Sequence, residues 1–168
     1  MGYVHDTHVS QYIPPTAFHC VTGTYTNAAG VIAGTIAKHR AAAASTGVVT
    51  IPIMVPSNES ALKGAKLTTI EIDYELLLAA ATSVTAVLNK AARGIEGAIA
   101  VVTTPAITQS LVAATAAATQ DKHKLTVTLT TPEWIDNDVY FLLQLSFVCG
   151  AAVTVDLLAA VANFTFRS

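Results

Sequence analysis

From Ile70 to Leu76 the chain alternates. Ile70, Ile72, Tyr74 and Leu76 fall on one side, and Glu71, Asp73 and Glu75 on the other. A period of two sustained over these positions predicts a half-buried β-strand, because a helix would scatter the same residues around its axis. Residues 124–132 repeat the pattern, with Leu125, Val127 and Leu129 set against Thr126, Thr128 and Thr130. Threonine suits the outer face, since β-branched side chains pack well on a pleated surface. Residues 48–56 alternate as well, with Val49, Ile51, Ile53 and Val55 together. Pro52 stands on their other face and cannot donate to a ladder, which predicts a sheet edge or a bulge there. Residues 83–94 align Val84, Ala86 and Leu88, and residues 98–104 add a further strand. Residues 138–148 (DVYFLLQLSFV) are apolar on both faces, the pattern of a central strand covered on both sides. Residues 153–166 end the chain as one bent strand or two short ones.

The segments between are less regular. Residues 1–19 have no period, and Pro14–Pro15 forbids helix and favours an extended path, so this stretch reads as an N-terminal arm. Residues 20–27 make a plausible strand ending at Asn27. Across residues 28–47 alanine favours helix, whereas Gly30, Gly34, Val31, Ile32 and Ile36 do not. A strand at 31–37 followed by a loop at 38–47 is the preferred reading, and a short helix over 37–45 is its rival. Residues 106–119 read as a long loop or short strand, 119–123 as a turn, and 131–138 as a turn-rich loop around Trp134, the only tryptophan. About eight strands without crossover helices exclude a parallel α/β fold. The expected architecture is all-β: an antiparallel β-sandwich or jelly roll over residues 20–168, preceded by an extended N-terminal arm, residues 1–19. Its core should include Ile70, Ile72, Tyr74, Leu76, Leu125, Val127, Leu129, Phe141 and Leu143.

Composition bears on what such a domain does. Hydrophobic residues make up 52% of the chain and charged residues 12%, against about 25% charged in ordinary soluble domains. The surface must therefore be covered largely by Thr, Ser, Ala and Val, which suits a subunit buried against other protein. The scattered basic residues and net charge of −2 exclude an obvious nucleic-acid or anionic-membrane surface. The least charged stretch, residues 97–120, is interrupted by Pro105 and several polar residues and is a poor membrane span. The start lacks the charged and apolar regions of a secretory signal. Cys20 and Cys149 are far apart and outside any CxxC, so both are expected to be buried, reduced and inert.

Four constellations invite chemistry. His5, Asp6 and His8, with His19 beyond them, have a loose metal-ligand spacing that fits a solvated arm better. Glu71, Asp73 and Glu75 share a strand face but lack the spacing and glycine of a calcium loop, and three acids in a row ask for a charge partner or good solvation. Glu133, Asp136 and Asp138 surround Trp134 in a loop suited to a cation or a sugar. The plainer alternative has the indole folding back as a core plug with the acids satisfying turn geometry. Cys20 beside His19 offers a nucleophile and a base, but neighbouring strand positions point to opposite faces. The short patterns GVIAG and GIEG lack a strand–loop–helix frame for phosphate. No set is assigned a catalytic, cofactor-binding or metal-binding role, and the chain is read as a non-enzyme.

Residues 61–76 (ALKGAKLTTIEIDYEL), 85–94 (TAVLNKAARG), 124–145 and 157–166 (LLAAVANFTF) resemble tailed-phage virion proteins of the capsid decoration and head-fibre type. The resemblance covers roughly half of the chain and supplies no functional residues. It implies a small β-rich subunit, usually trimeric, that binds the outside of an icosahedral shell as cement. The partners implied are copies of itself and a major capsid protein or other virion scaffold, the location is the virion, and bacteriophage is the source class. A carbohydrate-binding β-sandwich using the Trp134 loop is the alternative. A jelly-roll hydrolase using Glu71, Asp73 and Glu75 ranks last, because Tyr74 lies on the opposite strand face.

Overall fold

Where alternation is strongest, the chain forms its longest strands. The computed structural model describes residues 6–29, 35–53, 65–93, 99–110, 121–135 and 139–167. Its strands are β1 (Asp6–Ile13), β2 (His19–Thr22), β3 (Thr26–Ala29), β4 (Ile36–Arg40), β5 (Thr46–Ile53), β6 (Ala65–Leu77), β7 (Ser83–Arg93), β8 (Ile99–Thr103), β9 (Ile107–Gln109), β10 (Lys122–Ile135), β11 (Val139–Val148) and β12 (Thr154–Arg167). A 3-10 turn, Pro15–Ala17, links β1 to β2. Every pairing is antiparallel, and the strands form a β-sandwich of two sheets. The seven-stranded sheet runs β3-β4-β12-β6-β10-β9, with β1 also on β12, and the five-stranded sheet runs β2-β5-β11-β7-β8.

The inward faces are the ones the alternation marks. Ile70, Ile72, Tyr74 and Leu76 of β6, Leu125 and Val127 of β10, and Phe141 and Leu143 of β11 are wholly buried, and Leu129 nearly so. Each such side chain contributes about 1.5–3 kcal/mol by leaving water. The Tyr74 and Phe147 rings meet edge-on at 5.4 Å and tie the sheets together. Gln109 Nε2 donates to the Ala86 carbonyl at 3.0 Å, and Lys90 Nζ reaches Glu133 Oε2 at 2.7 Å. Both contacts join the seven-stranded sheet to β7 of the other.

Several expectations need correction. The described part of the N-terminal arm is extended, but it does not stand outside the sandwich. β1 pairs with residues 160–167 of β12 along its whole length, and Ile13 and Phe18 are buried. One side of β12 is occupied by β6; the other is shared between β4, on residues 155–157, and β1. β12 shifts register between Leu157 and Ala159, where the first partner ends and the second begins. It is thus one bent strand. Residues 38–40 belong to β4 and not to a loop, and the rival helix over 37–45 does not form; sheet pairing to β3 and β12 overrides the helical propensity of alanine. Residues 30–34 of that segment lie outside the described residues. Likewise β10 continues through residues 131–135 in place of a loop, after a register shift between Thr128 and Glu133. Pro52 lies in an interior strand, yet β2 pairs no farther along β5 than Thr50, so the ladder on that side has already ended where Pro52 stands. β11 is central as expected, but its second face, with Leu142, Gln144 and Ser146, is only half-buried.

Candidate functional site

The two outer faces of the sandwich differ in character. On the seven-stranded sheet, positions that alternate with the core residues bring the charges together. Lys124 is registered opposite Asp73 and Lys122 opposite Glu75. Lys124 Nζ forms an ion pair with Glu71, and the hydrogen bond it donates to that carboxylate holds the ammonium above its ordinary pKa. The acidic row on β6 therefore has its charge partner in the KHK segment of β10. Next to it, Asp156 of β12 is registered opposite Glu75 and His39 of β4 opposite Asp156. The row across four strands reads His39, Asp156, Glu75, Lys122. His39 Nδ1 lies 2.6 Å from Asp156 Oδ1, and the Asp156 side chain is almost buried. Glu75 Oε2 is buried and has no hydrogen-bond partner among the described residues.

Beside this row the sheet opens into a cleft of about 770 Å³. One wall is apolar and comes from the junction where β1 gives way to β4: Tyr12, Pro14 and Ile36. The facing wall is Asp73, Lys122 and Lys124, and Leu158, at the β12 register shift, lies between. Tyr12 is 61% exposed and Ile36 51% exposed. Ala159, registered opposite Asp73, puts only a methyl group between the walls. The register shift builds this cleft: it divides the β12 edge between two partners, and the Pro14–Pro15 turn rises at their junction.

The outer face of the five-stranded sheet is different. Its rows run Val48–Ser146–Thr85, Thr50–Gln144–Val87 and Pro52–Leu142–Asn89 across β5, β11 and β7. None of these residues is charged. Val87 and Val148 are exposed, and Val21 on the neighbouring β2 is 62% exposed.

The residues singled out from the sequence scatter over this frame. His5 lies outside the described residues. His8 is on β1, with Nδ1 3.5 Å from Thr165 Oγ1, whereas His19 is on β2 in the other sheet. Among the described residues no three His, Cys, Asp or Glu side chains are grouped to hold a metal ion. His19 and Cys20 occupy successive positions of one strand; Cys20 and Cys149 are both free, but only Cys149 is buried as expected, Cys20 being exposed on β2. Burial pushes the Cys149 thiol up, against the lowering effect of Arg40. Asp136 and Asp138 lie outside the described residues. Trp134 is not a core plug: it is 37% exposed, with Lys66 Nζ 4.9 Å from its ring centroid, because Lys66 is its cross-strand neighbour. Glu133 is taken up by Lys90.

Sequence reasoning missed Tyr12, His39, Arg40 and Asp156. Arg40 is buried and donates through Nη2 to Ser45 Oγ at 2.8 Å and the Ser45 carbonyl at 2.9 Å. Only a polar residue placed in register with another strand's acid would have pointed to His39, and that register is not local.

No family model matches this chain, and no curated protein matches it. Among solved structures, the CBM22-1 xylan-binding domain of Paenibacillus barcinonensis Xyn10C aligns over 95% of this chain and 92% of that one, with 13% identity and a TM-score of 0.46. At that level the likeness says nothing of ligand or activity.

Proposed function

We propose that this chain is a structural subunit that assembles through the outer face of its five-stranded sheet, as a capsid decoration protein on a viral particle would. The observation that carries the reading is the absence of charge from the three rows across β5, β11 and β7. Charged residues are depleted at the centre of interfaces, because desolvating them costs free energy that apolar and hydroxyl side chains do not demand. The three strands of those rows, about 4.8 Å apart and roughly 17 Å long over the five residues the rows span, present about 240 Å² in plan, the uncharged centre of an interface whose standard size is about 800 Å² per partner. The occupant is a second copy of this chain, and closed symmetry with three copies matches the three-fold positions of a shell. In this reading the chain is not an enzyme, needs no cofactor, binds neither nucleic acid nor membrane, and works in the virion beside its major capsid protein. A glycan site at Trp134 is the weaker reading, since Lys66 already lies over that ring.

Light scattering on the purified chain tests this. The expected mass is that of a trimer, and Val87→Lys, which sets a charge in the middle of the face, should give monomers that still unfold in one cooperative transition, at a melting temperature lowered only by the lost association. A wild-type monomer at micromolar concentration would overturn the reading. A dimer lost on Val87→Lys would keep the face and remove the three-fold order.

A further inference from the structure

We infer that the cleft on the seven-stranded sheet is a binding site for a neutral saccharide, independent of the assembly face. Its size falls within the range of about 300–1,000 Å³ typical of ligand pockets, and its mixture of apolar wall and few convergent polar groups is the usual composition of one. The chemistry selects the ligand class. Tyr12 is a largely exposed aromatic at the rim of the cleft, far more open than the buried Tyr74 and Tyr25. An open phenol ring offers a flat apolar face to the C–H side of a pyranose and a hydroxyl at its edge. On the opposite wall, Asp73 accepts hydrogen bonds while Lys122 and Lys124 donate them. A ligand that must satisfy acceptors and donors side by side, above an apolar surface, is a polyol ring.

Charge balance argues against an anionic or a cationic small ligand. Lys124 is paired with Glu71, and Lys122 stands opposite Glu75 with Asp73 on the same strand face. The cations and acids offset each other, so the wall favours neither an anion such as phosphate nor a cation. Tyr12 and Asp73 stand two strand spacings apart, about 10 Å, with Lys122 and Lys124 one strand beyond and Leu158 between, a separation that accommodates a sugar ring stacked on the tyrosine.

Titration calorimetry with gluco-, manno- and galacto-configured neutral oligosaccharides tests the inference on the full chain. At least one should bind at millimolar concentration or tighter. Tyr12→Ala should weaken that binding at least ten-fold, Tyr12→Phe should retain most of it, and Asp73→Asn should weaken it several-fold. Trp134→Ala should leave it unchanged, which separates the cleft from the tryptophan. Melting curves for each variant show whether a loss of binding accompanies a loss of fold. Failure of every sugar to bind overturns the inference, as does binding that survives Tyr12→Ala in a folded variant. Binding of inorganic phosphate in place of the sugars would also overturn it. Val87→Lys leaves the cleft intact, so loss of assembly and loss of sugar binding are separately visible.

Discussion

Trp134 shows how much a residue's worth depends on its surroundings. A buried tryptophan plug would cost about 3–5 kcal/mol on truncation. This one is partly exposed and shares its ring with Lys66, so Trp134→Ala should cost on the order of 1 kcal/mol, read from urea unfolding. His39→Ala should cost more, about 1–3 kcal/mol, because it removes the hydrogen-bond partner of a nearly buried Asp156. Gly47 is tightly constrained by its neighbours. A Cβ there would lie 2.5 Å from Tyr25 Oη and 3.0 Å from Arg40 Cδ. Gly47→Ala should destabilise by about 1–3 kcal/mol through overpacking. The tyrosines set the alkaline limit. Burial pushes the Tyr74 and Tyr25 phenols well above their ordinary value of 10.0, the latter in spite of Arg40. Between that value and the raised one the unfolded chain has released protons that the folded protein still holds, so stability complete at lower pH falls as pH rises. Tyr74→Phe should flatten that fall, seen in urea midpoints from about pH 9 to about pH 11.

Among the elements, β1 carries the clearest consequence. Were the first residues a free arm, their removal would leave the fold untouched. β1 instead contributes a full ladder to β12, with Ser10 Oγ donating to Asn163 Oδ1 at 2.6 Å, and its last residue, Ile13, enters the core. Deleting residues 1–13 should therefore lower the thermal midpoint clearly and expose the β12 edge, an open template for association with other chains. A truncated chain as stable as the parent would contradict this pairing. The N-terminal segment shows no period in its sequence because β1 is an edge strand with one apolar anchor, too few inward positions to set up a visible alternation. In β6 and β10 the period is plain because each buries several consecutive inward residues.

At the scale of the molecule, the low share of charge resolves into an uneven distribution. The described ion pair Lys124–Glu71 and the His39–Asp156 contact lie on the outer face of the seven-stranded sheet, and the ion pair Lys90–Glu133 spans the two sheets, while the named rows of the five-stranded face carry no charged residue. Association through an uncharged face should be insensitive to salt or strengthened by it. Raising ionic strength from about 0.1 M to about 1 M shortens the screening length from about 10 Å to about 3 Å, which would dissolve an assembly held by ion pairs. Sedimentation at both salt concentrations distinguishes the two cases.

Sequence alone determined the class of fold and most of the core, because a period of two is a local property. Which face of a strand leaves water follows from its own residues, and the nine core positions expected from alternation are all buried. It also determined that the surface is short of charge. Only the tertiary structure decided where that shortage falls, who pairs with whom, and where the cleft opens. Asp6 is registered opposite Arg167, and Tyr12 faces Asp73 across a strand from the far end of the chain. Such contacts depend on the register between distant strands. That register is set by packing the whole sandwich at once, so no local pattern records it.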